Sequence, residues 1–222
     1  KSNIIMLDQQ NIAQCLYGLR RLDGHHPSTF SLIKSLTKLM SQSKIRVSNK
    51  TSVSYSFNGL QSLEGTHSST FDLIEELVKK LNYNGTDDNQ GTTGTTGNSN
   101  SSNLFNNVEI GHAVFGLRSL DCSNYNTICL IITLIEIIRK SNNFYNSITA
   151  SSHSLLDFTD SAHTSTDNPT TTITLDLYSI ANCMIGISNF DATATSTFNL
   201  IHAIVNRAGI GIGPLHQSLF DL

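Results

Sequence analysis

Apolar residues along this chain recur at helical spacing, and the pattern comes back four times. In "NIAQCLYGLRRLD", Ile12, Leu16, Leu19 and Leu22 fall on one arc of a helical wheel, with Gly18 at its shoulder. The arrangement returns around Gly59, Gly116 and Gly186, at spacings of 41, 57 and 70 residues. Recurrence of this kind marks a repeat array. Ten residues before each glycine stands Asp8, Asn49, Asn106 or Asp176, whose side-chain oxygen can accept the first free helical N–H groups. Each is expected to start a first helix, running to about Asp23, Glu64, Asp121 and Asp191. Leu7, Phe105 and Leu175 precede three of the caps as a hydrophobic staple requires, while Ser48 breaks the pattern in the second.

A second set of cap-type residues follows ten positions after the glycine: Ser28, Ser69, Asn126 and Ser196. Phe30, Leu32, Ile33, Leu36, Leu39 and Met40 then give the second helix of the first repeat its apolar positions, matched by Phe71, Leu73, Ile74, Leu77 and Leu81 in the next. The repeats span about 8–42, 49–82, 106–141 and 176–209. Two polar inserts, 84–103 and 142–172, account for the unequal spacing and are expected to be disordered. Gly209 suits a helix end and Pro214 a new start, so 210–222 reads as a cap or partial repeat. An isolated hairpin of this size cannot bury its apolar face, whereas stacked hairpins share a core. The expected fold is therefore all-α, a single domain forming a short α-solenoid of four helical hairpins, with a compact α bundle as the runner-up. "TTTITLDLY" has strand propensity but no partner strand.

The glycine column lies beside a column that is always small: Cys15, Ser56, Ala113 and Cys183, three residues earlier. Gly18, Gly59, Gly116 and Gly186 together with these residues are expected to form a groove for close packing between neighbouring helices. Sharing a column with serine and alanine, Cys15 and Cys183 are explained by volume. With Cys122 and Cys129 they form no CxxC pair and no zinc-spaced cluster, so reduced structural thiols are expected.

Across the wheel stand Gln14, Arg20, Arg21, Tyr55, Gln61, His112, Arg118 and Asn182. Guanidinium, amide and aromatic groups on one repeated helix position suit a peptide or single-stranded RNA. The formal charge is -3 for the whole chain, but the inserts carry Asp87, Asp88, Asp157, Asp160 and Asp167 with no Lys or Arg. The repeats alone are thus slightly basic, at +2, far from a strong nucleic-acid footprint. "NIAQCLYGLRRLD" and "EIGHAVFGLRSLD", each followed by a second apolar helix, resemble the degenerate paired-helix repeats of organellar octotricopeptide-like and RAP-associated proteins over roughly 160 residues. The resemblance implies organellar RNA binding. It carries over no base-reading residue, and no RAP domain is recognisable.

No reaction chemistry can be read from the chain. "GIGIG", Gly209 to Gly213, lacks a preceding strand and a Walker lysine, and no GxSxG elbow singles out a serine. His25, His26 and His67 are expected to be solvated turn residues. His153, Asp157 and His163 sit in an insert that offers a catalyst no rigid support. No metal, cofactor or small-molecule substrate is expected. Sequons at Asn49, Asn84 and Asn100 follow from a composition rich in Asn, Ser and Thr. No run of apolar residues is long enough to cross a membrane, and no signal peptide is recognisable. An intracellular setting is favoured, with an organellar one attached to the RNA reading. Lys1 in place of Met leads us to expect a fragment or processed form whose parent carries further domains, a catalytic one among them if there is any enzymatic role. The leading expectation is a non-enzymatic scaffold for a protein or peptide, and the alternative is an RNA-binding helical-repeat protein.

Overall fold

Asp8, Asn49, Asn106 and Asp176 all start helices. Their side chains accept the N–H groups of Asn11 at 2.7 Å, Thr51 at 3.0 Å, Glu109 at 2.9 Å and Ser179 at 2.7 Å. At Asn106 the Glu109 carboxylate reaches back to the cap N–H at 2.8 Å, completing a capping box. The computed structural model describes residues 8–81, 104–154 and 175–208. Those residues are all-helical, and among them no strand occurs. The elements are α1 (Gln9–Leu19), α2 (Pro27–Gln42), α3 (Lys50–Asn58), α4 (Ser68–Leu81), α5 (Asn107–Phe115), α6 (Tyr125–Ser154), α7 (Leu177–Ile187) and α8 (Thr195–Arg207).

The odd-numbered helices end about one turn earlier than the sequence pattern suggests. Beyond each end the backbone tightens into three-residue bonds: Leu22 to Leu19, Leu63 to Leu60, Leu120 to Leu117 and Phe190 to Ile187. After α3 this becomes a 3-10 helix, Gly59–Ser62. Glycine weakens the last turn, and tightening of this kind is how helix ends commonly satisfy their carbonyls.

The caps of the even-numbered helices lie two residues before the expected Ser28, Ser69, Asn126 and Ser196. His26 Nδ1 accepts the Ser28 N–H and His67 Nδ1 accepts the Ser69 N–H, both at 3.2 Å, while Asn124 Oδ1 accepts the Asn126 N–H at 2.9 Å. Ala194, in the fourth, makes no side-chain cap bond. A neutral imidazole nitrogen is as good an acceptor as a hydroxyl, so these two histidines are not idle turn residues. The expectation also fails over 142–154, where α6 continues to Ser154 through a stretch free of Gly and Pro, while 155–172 lies outside the described residues. His153 lies within that helix. The insert 84–103, Asp157, His163, the glycine run and the segment 210–222 lie outside the described residues.

Each helix packs on the helix two further along: α1 on α3, α3 on α5 and α5 on α7, with α2, α4, α6 and α8 doing the same. One hydrophobic cluster runs through all of them, from Ile12, Leu16 and Ile33 to Leu200 and Ala203. Between α1 and α3 the Gln9 side chain accepts the N–H groups of Ser48 and Asn49 at 3.2 and 3.1 Å. Between α2 and α4 the Phe30 ring lies parallel to the His67 imidazole at 3.5 Å. The buried Lys80 donates to the Ser43 carbonyl and pairs with Glu76 at 3.4 Å, tying the end of α2 to α4.

The glycines set the spacing of the odd-numbered helices. A Cβ on Gly59 would overlap the Leu16 carbonyl, one on Gly116 that of Phe57, and one on Gly186 that of Val114. In each case the carbonyl belongs to the residue two before the preceding helix's own glycine. All three have ordinary right-handed or helical backbone, so the missing Cβ is needed for approach and not for conformation. Gly24 and Gly65 make the matching approach on the loop side, bridging Leu63 and Leu120. Gly18 differs from its column. It is exposed, and a Cβ there would meet nothing within 4 Å.

Candidate interaction surface

The outward face of the odd-numbered helices draws five of the eight sequence-derived candidates into one stripe, with Asn58 as its hub. Asn58 is the last residue of α3 and is nearly fully buried. Its Oδ1 accepts from the Arg20 guanidinium at 3.4 Å and from Gln61 Nε2 at 3.0 Å. Its Nδ2 donates to the His112 carbonyl at 3.3 Å. The Gln61 carbonyl in turn accepts from Arg118 Nε at 3.2 Å. One amide thus links α1, α3 and α5, and Arg118 extends the chain of contacts.

Aromatic rings support both cations. The Arg20 guanidinium carbon sits 3.8 Å from the Tyr17 ring centroid, and that of Arg118 sits 4.4 Å from Phe115. Such placements are attractive through the ring quadrupole. Tyr17 and Tyr55 stack on each other at 4.7 Å. His112, half-buried, has its pKa held below the usual histidine value, mainly by loss of solvent and further by the Arg20 charge, with Glu109 acting in the opposite direction. The neutral imidazole is therefore favoured in the folded chain.

Gln14 and Arg21 are exposed on α1 and its following turn and take no part in these contacts. Asn182 holds the equivalent position on α7, half-buried. The hub itself, together with Tyr17 and Phe115, has no signature in the sequence pattern. Their column reads Tyr, Asn, Phe, Ile and therefore shows no consistent polarity, although on the wheel it lies between polar columns.

The small-residue column has Ser56, Ala113 and Cys183 buried, with Cys15 exposed like Gly18. Burial pushes the Cys183 thiol up to about 12, which suits a packing role and not a thiolate nucleophile. Cys122 Sγ accepts the Asp191 N–H at 3.3 Å, and all four cysteines are free. His25 Nδ1 lies 3.3 Å from Glu64 on an exposed turn. Among the described residues no three His, Cys, Asp or Glu side chains stand close enough to hold a metal ion, and no helix is long and apolar enough to cross a membrane. No protein-family model, curated protein or solved structure matches the chain.

Proposed function

We propose that the chain is a short α-solenoid of four helical hairpins that works as a non-enzymatic interaction module, taking an extended protein segment along the outward face of α1, α3 and α5. The observation that carries this reading is the Asn58 hub. A buried amide that fixes Arg20, Gln61 and the His112 backbone in one line presents two pre-ordered guanidinium groups and a stacked Tyr17–Tyr55 pair to solvent. Pre-ordering lowers the entropy lost on binding, and arginine with tyrosine is the composition of interface anchors. A ligand with carboxylate or backbone carbonyl groups at intervals matches the two cations.

Single-stranded RNA is the second reading. It rests on the same arginine-over-ring pairs, which suit stacked bases and phosphates, and on the resemblance to octotricopeptide-like repeats.

One selection experiment separates the two. Peptides selected from a random display library on the wild-type chain should lose at least about tenfold in affinity on Arg20→Ala plus Arg118→Ala, a loss of about 1.4 kcal/mol or more. A uridine oligonucleotide should bind no better than background at physiological salt. If the oligonucleotide binds, with a salt slope that falls when either arginine is removed, the RNA reading replaces the protein one. Selected peptides indifferent to both substitutions would rule out this face.

A further inference from the structure

Arg20 and Arg118 follow the two helices that pack on α3, and their side chains reach the same short stretch of chain. The Arg20 guanidinium donates to the Asn58 Oδ1, Arg118 Nε donates to the Gln61 carbonyl, and Gln61 Nε2 donates to Asn58 between them. That stretch is the C-terminal end of α3 with the 3-10 helix Gly59–Ser62, where the partial negative charge of a helix end draws cations. The attraction gathers both arginines but takes only one of the five N–H donors of each guanidinium in these bonds. The supporting rings of Tyr17 and Phe115 use no donor at all. Arg20, Gln61 and Arg118 each keep part of their surface in solvent. Charge along this face is local. Ser188 stands after α7 where Arg20 and Arg118 stand after α1 and α5, and the column four before the glycines reads Gln14, Tyr55, His112 and Asn182. Arg21 adds its charge next to Arg20.

We propose, resting on the reading of this face as a docking surface for a protein segment, that Arg20 and Arg118 make one anion subsite at the end of α3. It takes a single aspartate or glutamate side chain of that segment, with neutral residues on either side along the amides and the Tyr17–Tyr55 pair. A carboxylate has two oxygens and accepts from both guanidinium groups at once. Asn58 and Gln61 hold those donors before the ligand arrives, so little side-chain entropy is lost on binding. Charge complementarity selects the occupant. A polyanion with a charge at every step finds cations at one place only, whereas a segment with one acidic residue among neutral ones matches the whole face.

Peptides selected from a random display library on the full 222-residue chain supply the probe. Aligned with one another they should share one acidic position, and replacing that residue by its amide should weaken binding at least about tenfold. This change leaves the protein untouched, so it reads the subsite without any question of folding. In a double-mutant cycle the same peptide residue should couple to both cations. Once Arg20→Gln or Arg118→Gln is in place, with helical circular dichroism retained, the acid-to-amide change should cost under about threefold. Peptides that tolerate the amide, yet lose affinity on Arg20→Ala plus Arg118→Ala, would overturn the subsite and leave the docking surface standing. Coupling to one arginine alone would overturn it too. Peptides indifferent to both arginines would remove the docking surface and the subsite with it, as would a uridine oligonucleotide that binds where no peptide does.

Discussion

Asn58 shows how much one side chain can organise. Nearly buried, it satisfies both its amide nitrogen and its oxygen across three elements, and it holds the arginine stripe in register. Asn58→Leu keeps the volume but leaves the Gln61 amide and the Arg20 head without that acceptor. The expected cost is about 1–3 kcal/mol in denaturant unfolding, together with weaker binding of any ligand that uses Arg20. His112 adds a pH signature. Its folded pKa lies below the unfolded value, so its contribution to stability is complete above the unfolded value and declines as pH falls through the folded one. His112→Gln should flatten the stability profile on the acidic side of neutrality, as read by urea midpoints at a series of pH values. These residues were only partly legible in the sequence. Arg20, Tyr55, Gln61, His112 and Arg118 announced themselves as polar positions on a repeated helix, whereas Asn58 shares its column with Tyr17, Phe115 and Ile185. A hub whose counterparts are aromatic or aliphatic leaves no column to read.

At the level of the elements, the first-helix starts followed directly from chemistry that is local. An Asp or Asn ahead of an apolar run has one good use there, and all four caps form. The second-helix starts were displaced because Ser28 and Ser69 are better-known cap residues than His26 and His67, and because the competition between neighbouring acceptors is settled by geometry. His67 also stacks on Phe30, a tertiary contact invisible in a single sequence. His67→Asn should retain the cap, as Asn124 does in α6, while His67→Ala should cost about 1 kcal/mol more in thermal or chemical unfolding. Asp176 gives a second test. Its bonds to Ser179 lower its pKa, so the cap of α7 persists above the unfolded value and is lost as pH falls through the folded one. Asp176→Asn should keep α7 capped and remove that acid step, seen as acid-insensitive amide protection near Ser179. The unexpected length of α6 has a simpler origin. Asn and Ser are modest helix formers, but nothing between Asn142 and Ser154 stops a helix already under way.

Over the whole molecule, stability is expected to follow a helix's place in the two rows of packed helices. Among the described residues α3, α4, α5 and α6 have a packed neighbour on each side, while α1, α2, α7 and α8 have one. Native-state hydrogen exchange should accordingly be slowest in α3, α4, α5 and the part of α6 packed between α4 and α8, and faster towards both ends. The same asymmetry makes the glycine column a test of the architecture, because chemically identical residues occupy interior and end positions. An added Cβ on Gly59 overlaps the Leu16 backbone, which cannot swing aside as a side chain would. An added Cβ on Gly18 meets open space. The direct measurement is the thermal unfolding of Gly18→Ala beside Gly59→Ala. The packing account predicts that Gly59→Ala destabilises by about 1–3 kcal/mol. It predicts that Gly18→Ala is neutral or stabilises by up to about 1 kcal/mol through helix propensity. Equal shifts in the two variants, or a loss confined to Gly18→Ala, would contradict it.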